Sequence, residues 1–119
     1  MPRHTPIFEA GAIVRVPFPY TDRDTRQRRP ALVVSHASAG EDRNLLWVVM
    51  ITSAANRRWA DDVLIGDDHA ERGLPVPSLI RPAKIATIDA AAADRIGVLD
   101  TQRMARVRAA IATIVGVAT

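Results

Sequence analysis

The chain has 119 residues, 48% of them apolar, with 16 basic and 13 acidic side chains and a formal net charge of +3. That length supports a single hydrophobic core, and no segment approaches the roughly 20 consecutive apolar residues that span a bilayer. Without cysteine, disulfides and thiolate metal sites are excluded, and the small positive charge permits an anionic partner without requiring one.

The first ten residues, MPRHTPIFEA, lack the apolar core of a secretory signal, so a cytoplasmic location is expected. Residues 11–16, GAIVRV, read as a first strand, ended by Pro17 and Pro19, which fix φ and cannot donate to a ladder. Nothing between Phe18 and Pro30 reads as buried: Arg23, Arg26, Arg28 and Arg29 alternate with Asp22 and Asp24. Loops presented by a rigid scaffold carry function, and the planar fork of arginine suits a phosphate. Residues 30–36 form a second strand, apolar enough to be buried on both faces, and a turn-rich stretch over 37–44 follows. LLWVVMIT, residues 45–52, is a third buried strand. Residues 53–61 are polar and carry Arg57, Arg58 and Trp59. A short strand over 63–65 lies between acidic pairs, and 66–77 is loop. Residues 78–81 and 84–88 read as two short strands, or as one strand bent at Pro82.

The last third changes character. Residues 89–94 are alanine-rich and predict a short helical turn, and Gly97-Val98-Leu99 is a strandlet or a loop. Asp100 or Thr101 then caps a helix that runs to about Val115, with Gly116 as its stop. Met104, Val107, Ile111 and Ile114 make one apolar stripe, suited to docking on the sheet or on a partner subunit. Neither a repeat nor a linker divides the chain, so residues 1–119 read as one domain. Many short strands followed by one good helix predict a mainly β fold with α, a small antiparallel barrel with an appended helix.

Three places can carry chemistry. Pro30 biases Arg29 to extended geometry, so its guanidinium stands at the mouth of the second strand, either gripping a phosphate or simply solvated. Thr52-Ser53 places two hydroxyls at the end of the third strand, where they either meet a ligand or serve a strand end and a turn. Arg81 lies among apolar strand residues, again before a proline, and an arginine there needs a partner or a ligand. His4, His36 and His69 form no ligand pair, and the acids at 61–62 and 67–68 read as solvated turn ends; no metal or cofactor is expected. Phosphate-loop, dinucleotide and hydrolase-elbow motifs are absent from the sequence.

GAIVRVPFPYTD, then RRPALVVS, VVMITSA and SLIRPAKIATID, resembles the MazF/PemK toxins of bacterial toxin–antitoxin systems, in order and spacing, from about Gly11 to Val117. The resemblance implies an SH3-like barrel of the CcdB/MazF type with a C-terminal helix. It further implies a homodimer that cuts single-stranded RNA without metal, leaving a 2′,3′-cyclic phosphate and a 5′-hydroxyl. Carried over, Arg29 matches the family's catalytic arginine, Thr52 its catalytic threonine or serine, and Arg81 an arginine that one branch uses in catalysis. Asp24 is the base by position, although arginine and threonine leave the proton-transfer group open. Tyr20, Arg26, Arg28, Ser53, Arg57, Arg58 and Lys84 are the candidate RNA contacts, since unpaired bases stack on aromatic and guanidinium planes. The loop before Arg29 lacks the family's glycine, and Ala83 stands where the branch using the later arginine has aspartate. A cognate antitoxin with a disordered acidic and apolar tail is the implied protein partner. The alternatives are a CcdB-like gyrase-binding toxin, which the missing C-terminal Trp-Gly-Ile opposes, and a degenerate member that binds RNA or antitoxin without cutting.

Overall fold

The computed structural model describes residues 8–17, 28–35 and 44–116. Six strands, β1 (Ala12–Pro17), β2 (Arg28–Val33), β3 (Leu45–Ser53), β4 (Val63–Ile65), β5 (Ser78–Asp89) and β6 (Asp94–Val98), precede one helix, α1 (Thr101–Val115). They form one curled antiparallel sheet in the order β4-β5-β3-β2-β1-β6. The strands read as continuous apolar runs because both faces of the sheet are covered. On one face Val14, Val16, Ala31, Val33, Leu46 and Val48 pack under Phe8, Ala90 and Ala93. On the other, Ile13, Leu32, Val49, Ile51 and Ile80 pack under Leu74, Leu99 and the helix residues Met104 and Val107. Each buried aliphatic side chain contributes about 1.5–3 kcal/mol relative to exposure.

The segments on either side of Pro82 are one strand. Its register with β3 steps from Val49↔Ile85 to Met50↔Arg81, so residues 82–84 bow out of the ladder. A bulge is where a strand accepts a proline, which has no N–H to donate. β2 begins at Arg28, two residues before the apolar run, because Arg28 and Arg29 pair with Pro17 and Val16 of β1. Gly97 belongs to β6, beside a register shift in the β1–β6 pairing. The alanine-rich stretch forms a single 3₁₀ turn at Ala90–Ala92, and a second such turn, His69–Arg72, interrupts the loop before β5.

Asp100 caps α1, its carboxylate accepting from Arg103 N at 3.0 Å, and Gly116 closes the helix at φ 80°. Met104 and Val107 are buried and Ile111 is half-buried, whereas Ile114 is 49% exposed, so the sheet covers all but the last position of the stripe. Arg103 also bonds Asp68 at 2.7 and 2.9 Å, tying the helix start to the 3₁₀ turn. Among the described residues no helix is long and apolar enough to cross a membrane.

Two glycines permit a close backbone crossing between that turn and β6. A Cβ on Gly97 would lie 1.9 Å from Arg72 O, and one on Gly73 would lie 1.8 Å from Ile96 O. Replacing Gly97 by alanine should therefore destabilise the protein by about 3 kcal/mol or more, at the upper end of overpacking effects, because the clash is with backbone. Urea unfolding that matches wild type would contradict this crossing.

The Asp68 pair gives a pH signature. Hydrogen bonds from Arg103, and then from Arg72, outweigh burial and hold the Asp68 carboxyl well below its ordinary value of 3.8. A depressed carboxyl contributes stability that is complete above the unfolded-state value and is lost as pH falls through the folded one. Wild type should thus lose stability below about pH 4 more steeply than Asp68→Asn in acid titrations of the urea midpoint; parallel curves would refute the linkage.

Candidate active site

β2 and β3 pair with Ala31 opposite Met50. The ladder between them ends at that pair, with Arg29 two residues before Ala31 and Thr52 two residues after Met50. Side chains alternate along a strand, and Ala31, Val33, Val48 and Met50 all enter the first core. Arg29 and Thr52 therefore project from that same face, at the end of the sheet where its apolar packing stops. Arg29 is half-buried, and its Nε is fully buried with no hydrogen-bond partner among the described residues. A desolvated guanidinium N–H without an acceptor costs about 1–3 kcal/mol, a penalty that an anionic oxygen would remove.

Thr52 leads into a built turn. Asn56 N donates to Ser53 O at 3.0 Å, Ala55 N to Ser53 Oγ at 3.1 Å, and Ala54 N to Pro77 O at 2.9 Å. The Asn56 side chain reaches back, Nδ2 donating to Thr52 Oγ1 at 2.7 Å. The hydroxyl of Ser53 is thus engaged by its own turn, while that of Thr52 is oriented by Asn56. Asn56 is the residue that reading the sequence missed. Its only signal there is a short amide three places after a serine at a strand end, a common turn pattern.

Arg81 has its partner inside the protein. It forms a buried ion pair with Asp62, Nη2 to Oδ2 at 2.8 Å, the side chains being 7% and 1% exposed. The same Nη2 donates to Arg57 O at 2.8 Å, and the guanidinium carbon lies 4.0 Å from the centroid of the Trp59 ring. Asp62 Oδ2 also accepts from Trp59 N at 2.8 Å, and Arg58 Nη2 donates to Asp62 O at 3.2 Å. One carboxylate and one guanidinium so fix residues 57–62 against β5. Lys84, on the bulge, stands 5.5 Å from the Trp59 ring centroid. Arg57 and Arg58 are exposed on this fixed segment, and Ala83 is exposed on the bulge.

The other candidates lie elsewhere. Arg28 turns toward β6, donating to Arg15 O at 2.8 Å and to Ala92 O, and pairing with Asp94 at 3.0 Å. Tyr20, Asp24 and Arg26 fall outside the described residues. Of the acidic pairs, Asp62 is committed to Arg81 and Asp68 to Arg72 and Arg103, while His69 Nδ1 meets Leu74 O at 2.8 Å. Only Asp61 and Asp67 of these four acids are exposed, as expected of solvated turn ends. The arrangement offers an unsatisfied guanidinium N–H and an oriented hydroxyl on one face, flanked by a rigid basic and aromatic segment. Such a set is chemically suited to an anionic group such as a phosphate.

Comparison with known proteins identifies a family and a fold. The profile of a family described as the PemK-like, MazF-like toxin of type II toxin–antitoxin systems matches residues 9–115. Among solved structures, a MazE–MazF complex (form II) from Deinococcus radiodurans superposes with a TM-score of 0.72 at 23% identity, over 94% of this chain and 98% of that one. A mycobacterial endoribonuclease in complex with its cognate antitoxin gives 0.69 at 20% identity, over 93% and 97%. The Mycobacterium tuberculosis toxin MazF-mt6 gives 0.65 at 20% identity, over 89% and 98%. At these identities the structural likeness establishes the fold. A search of the curated proteins gives no match.

Because Asp62 holds Arg81 and the Trp59 segment together, Asp62→Ala should cost about 3–5 kcal/mol by stranding a buried guanidinium. The Asp62→Ala, Arg81→Met double variant should recover part of that loss in urea unfolding. A single variant as stable as wild type would show that the pair does not anchor the segment.

Proposed function

The chain belongs to the PemK-like, MazF-like toxins of type II toxin–antitoxin systems, and from that premise we propose that it is an endoribonuclease acting on single-stranded RNA without a metal ion. The observation that carries this reading is the buried Arg29 Nε, without a partner among the described residues, on the same face of the sheet as Thr52. In the proposed reaction the ribose 2′-oxygen gives up its proton and bonds to the adjacent phosphorus. The bond from phosphorus to the 5′-oxygen breaks, and that oxygen takes a proton. The products are a 2′,3′-cyclic phosphate and a 5′-hydroxyl.

Arg29 supplies charge where the phosphorane gathers it. Guanidinium stays protonated near neutral pH, so it stabilises the transition state and does not serve as the base. Thr52 donates a hydrogen bond to a phosphoryl oxygen. Asp24 is the proposed base that takes the 2′-proton. Arg81, buried against Asp62, acts through the segment it holds. Arg57 and Arg58 track the RNA backbone from that segment, together with Lys84, Ser53 and the loop residues Tyr20, Arg26 and Arg28. Arg28 must exchange its contact with Asp94 for RNA, which makes its contribution small.

A cytoplasmic homodimer inhibited by a cognate antitoxin completes the reading. Solved relatives in complex with antitoxins support that partner. A tail that folds on binding, acidic toward the arginines and apolar toward the strand ends, suits this surface.

Purified protein should cut a long single-stranded RNA in excess EDTA, leaving cyclic phosphate ends. Arg29→Ala should lose a factor of about 10²–10³ in rate with thermal stability equal to or above that of wild type, and Arg29→Lys should not restore activity because it lacks the planar fork. Strict dependence on a divalent cation, or an Arg29→Ala variant cutting at the wild-type rate, would contradict the mechanism.

A further inference from the structure

The orientation of the Thr52 hydroxyl is set from outside the strand. A threonine hydroxyl offers one donor and two acceptor sites. Asn56 Nδ2 donates into one of the acceptor sites at 2.7 Å, so the hydroxyl's own proton is turned away from residue 56. Asn56 is exposed, and an exposed neutral hydrogen bond adds little to folding. Its geometry is nevertheless built. The backbone N–H of Asn56 donates to Ser53 O at 3.0 Å, Ala55 N donates to Ser53 Oγ at 3.1 Å, and Ala54 N is pinned to Pro77 O at 2.9 Å. Downstream, Arg81 donates to Arg57 O at 2.8 Å, holding the very next residue. The amide is thus delivered to Thr52 by a backbone fixed on both sides of it.

We propose that Asn56 is a positioning residue: its side-chain amide occupies an acceptor site of Thr52 Oγ1 and turns the threonine proton toward a phosphoryl oxygen of bound RNA. The role rests on the nuclease reading above. It makes Thr52 a hydrogen-bond donor to the phosphate in both ground and transition states, with the larger gain where phosphorus carries more negative charge. Thr52 is then not the acceptor of the 2′-proton.

Steady-state cleavage of a defined single-stranded RNA by wild type, Asn56→Ala, Thr52→Val and the double variant tests this. Asn56→Ala should lose about tenfold in kcat, the worth of one hydrogen bond, with a smaller rise in KM and the same thermal midpoint as wild type. In the Thr52→Val background the same substitution should have no further effect, since Asn56 acts only through the hydroxyl. Asn56→Asp should fall below Asn56→Ala, because a carboxylate can only accept and draws the Thr52 proton to itself. The proposal is overturned if Asn56→Ala cuts like wild type, or if its loss is equally large in Thr52→Val, which would mean direct contact with RNA. It is also overturned if Asn56→Asp retains full activity, which would mean that the hydroxyl already points at residue 56. A wild-type protein that cuts no RNA would overturn the nuclease reading itself, a different result from an active wild type with an indifferent Asn56→Ala.

Discussion

The carboxylate of Asp62 is the constraint on which the polar side of this molecule depends. It is almost fully buried, and it neutralises Arg81 while receiving the backbone N–H of Trp59. Burying two charges costs several kcal/mol per ion, and their attraction repays it only when geometry and additional hydrogen bonds are favourable. Here those bonds are present, and what they secure is shape. Residues 57–62 would otherwise be an arginine-rich stretch with only Trp59 as a large apolar anchor. Tied to β5, they become a rigid shoulder beside the end of β3, where Thr52 sits.

The second constraint is register. Arg29 and Thr52 share a face only because β2 and β3 pair as they do, and a slip of one residue would send one of them to the opposite face. Such a slip is costly in this sheet, since both faces carry a core. It would exchange Ala31 and Val33 for Leu32 on a face already filled by Val14, Val16, Leu46 and Val48. The apolar packing that stabilises the fold is therefore also what keeps the guanidinium and the hydroxyl on one face. Arg29 is left with a desolvated N–H that the described part of the protein does not satisfy. Such a group is rare in folded proteins and marks a place where a ligand could supply the missing acceptor.

Most of the architecture was legible in the residues. Apolar runs locate β1 to β4, and Asp100 and Gly116 bracket α1 because capping chemistry is local. Pro82 signals a bend, and the bulge over 82–84 is its realisation within one long strand. What the sequence did not reveal depends on distant pairing. Arg81 called for a partner or a ligand, but Asp62 is identified as that partner only once β4 lies beside β5, with Val63 opposite Ile80. Arg28 looked like its neighbour Arg29, yet the β1–β6 pairing places Asp94 within its reach. The crossing at Gly73 and Gly97 joins a turn to an edge strand and leaves no local pattern. Asn56 was hidden for the opposite reason, being an ordinary turn residue whose importance comes from the hydroxyl it touches.

In the proposed reaction this face promotes attack by the RNA's own 2′-hydroxyl. The most direct measurement uses an RNA carrying a single 2′-deoxy nucleotide at the position cut in the all-ribose strand. The protein should bind this RNA with nearly unchanged affinity, because the contacts proposed for Arg29, Thr52 and the basic shoulder are to the phosphate and the bases. It should leave that linkage intact while still cutting the unmodified strand. Cleavage at the deoxy position would show that water or a protein group is the nucleophile, and would exclude attack by the 2′-hydroxyl.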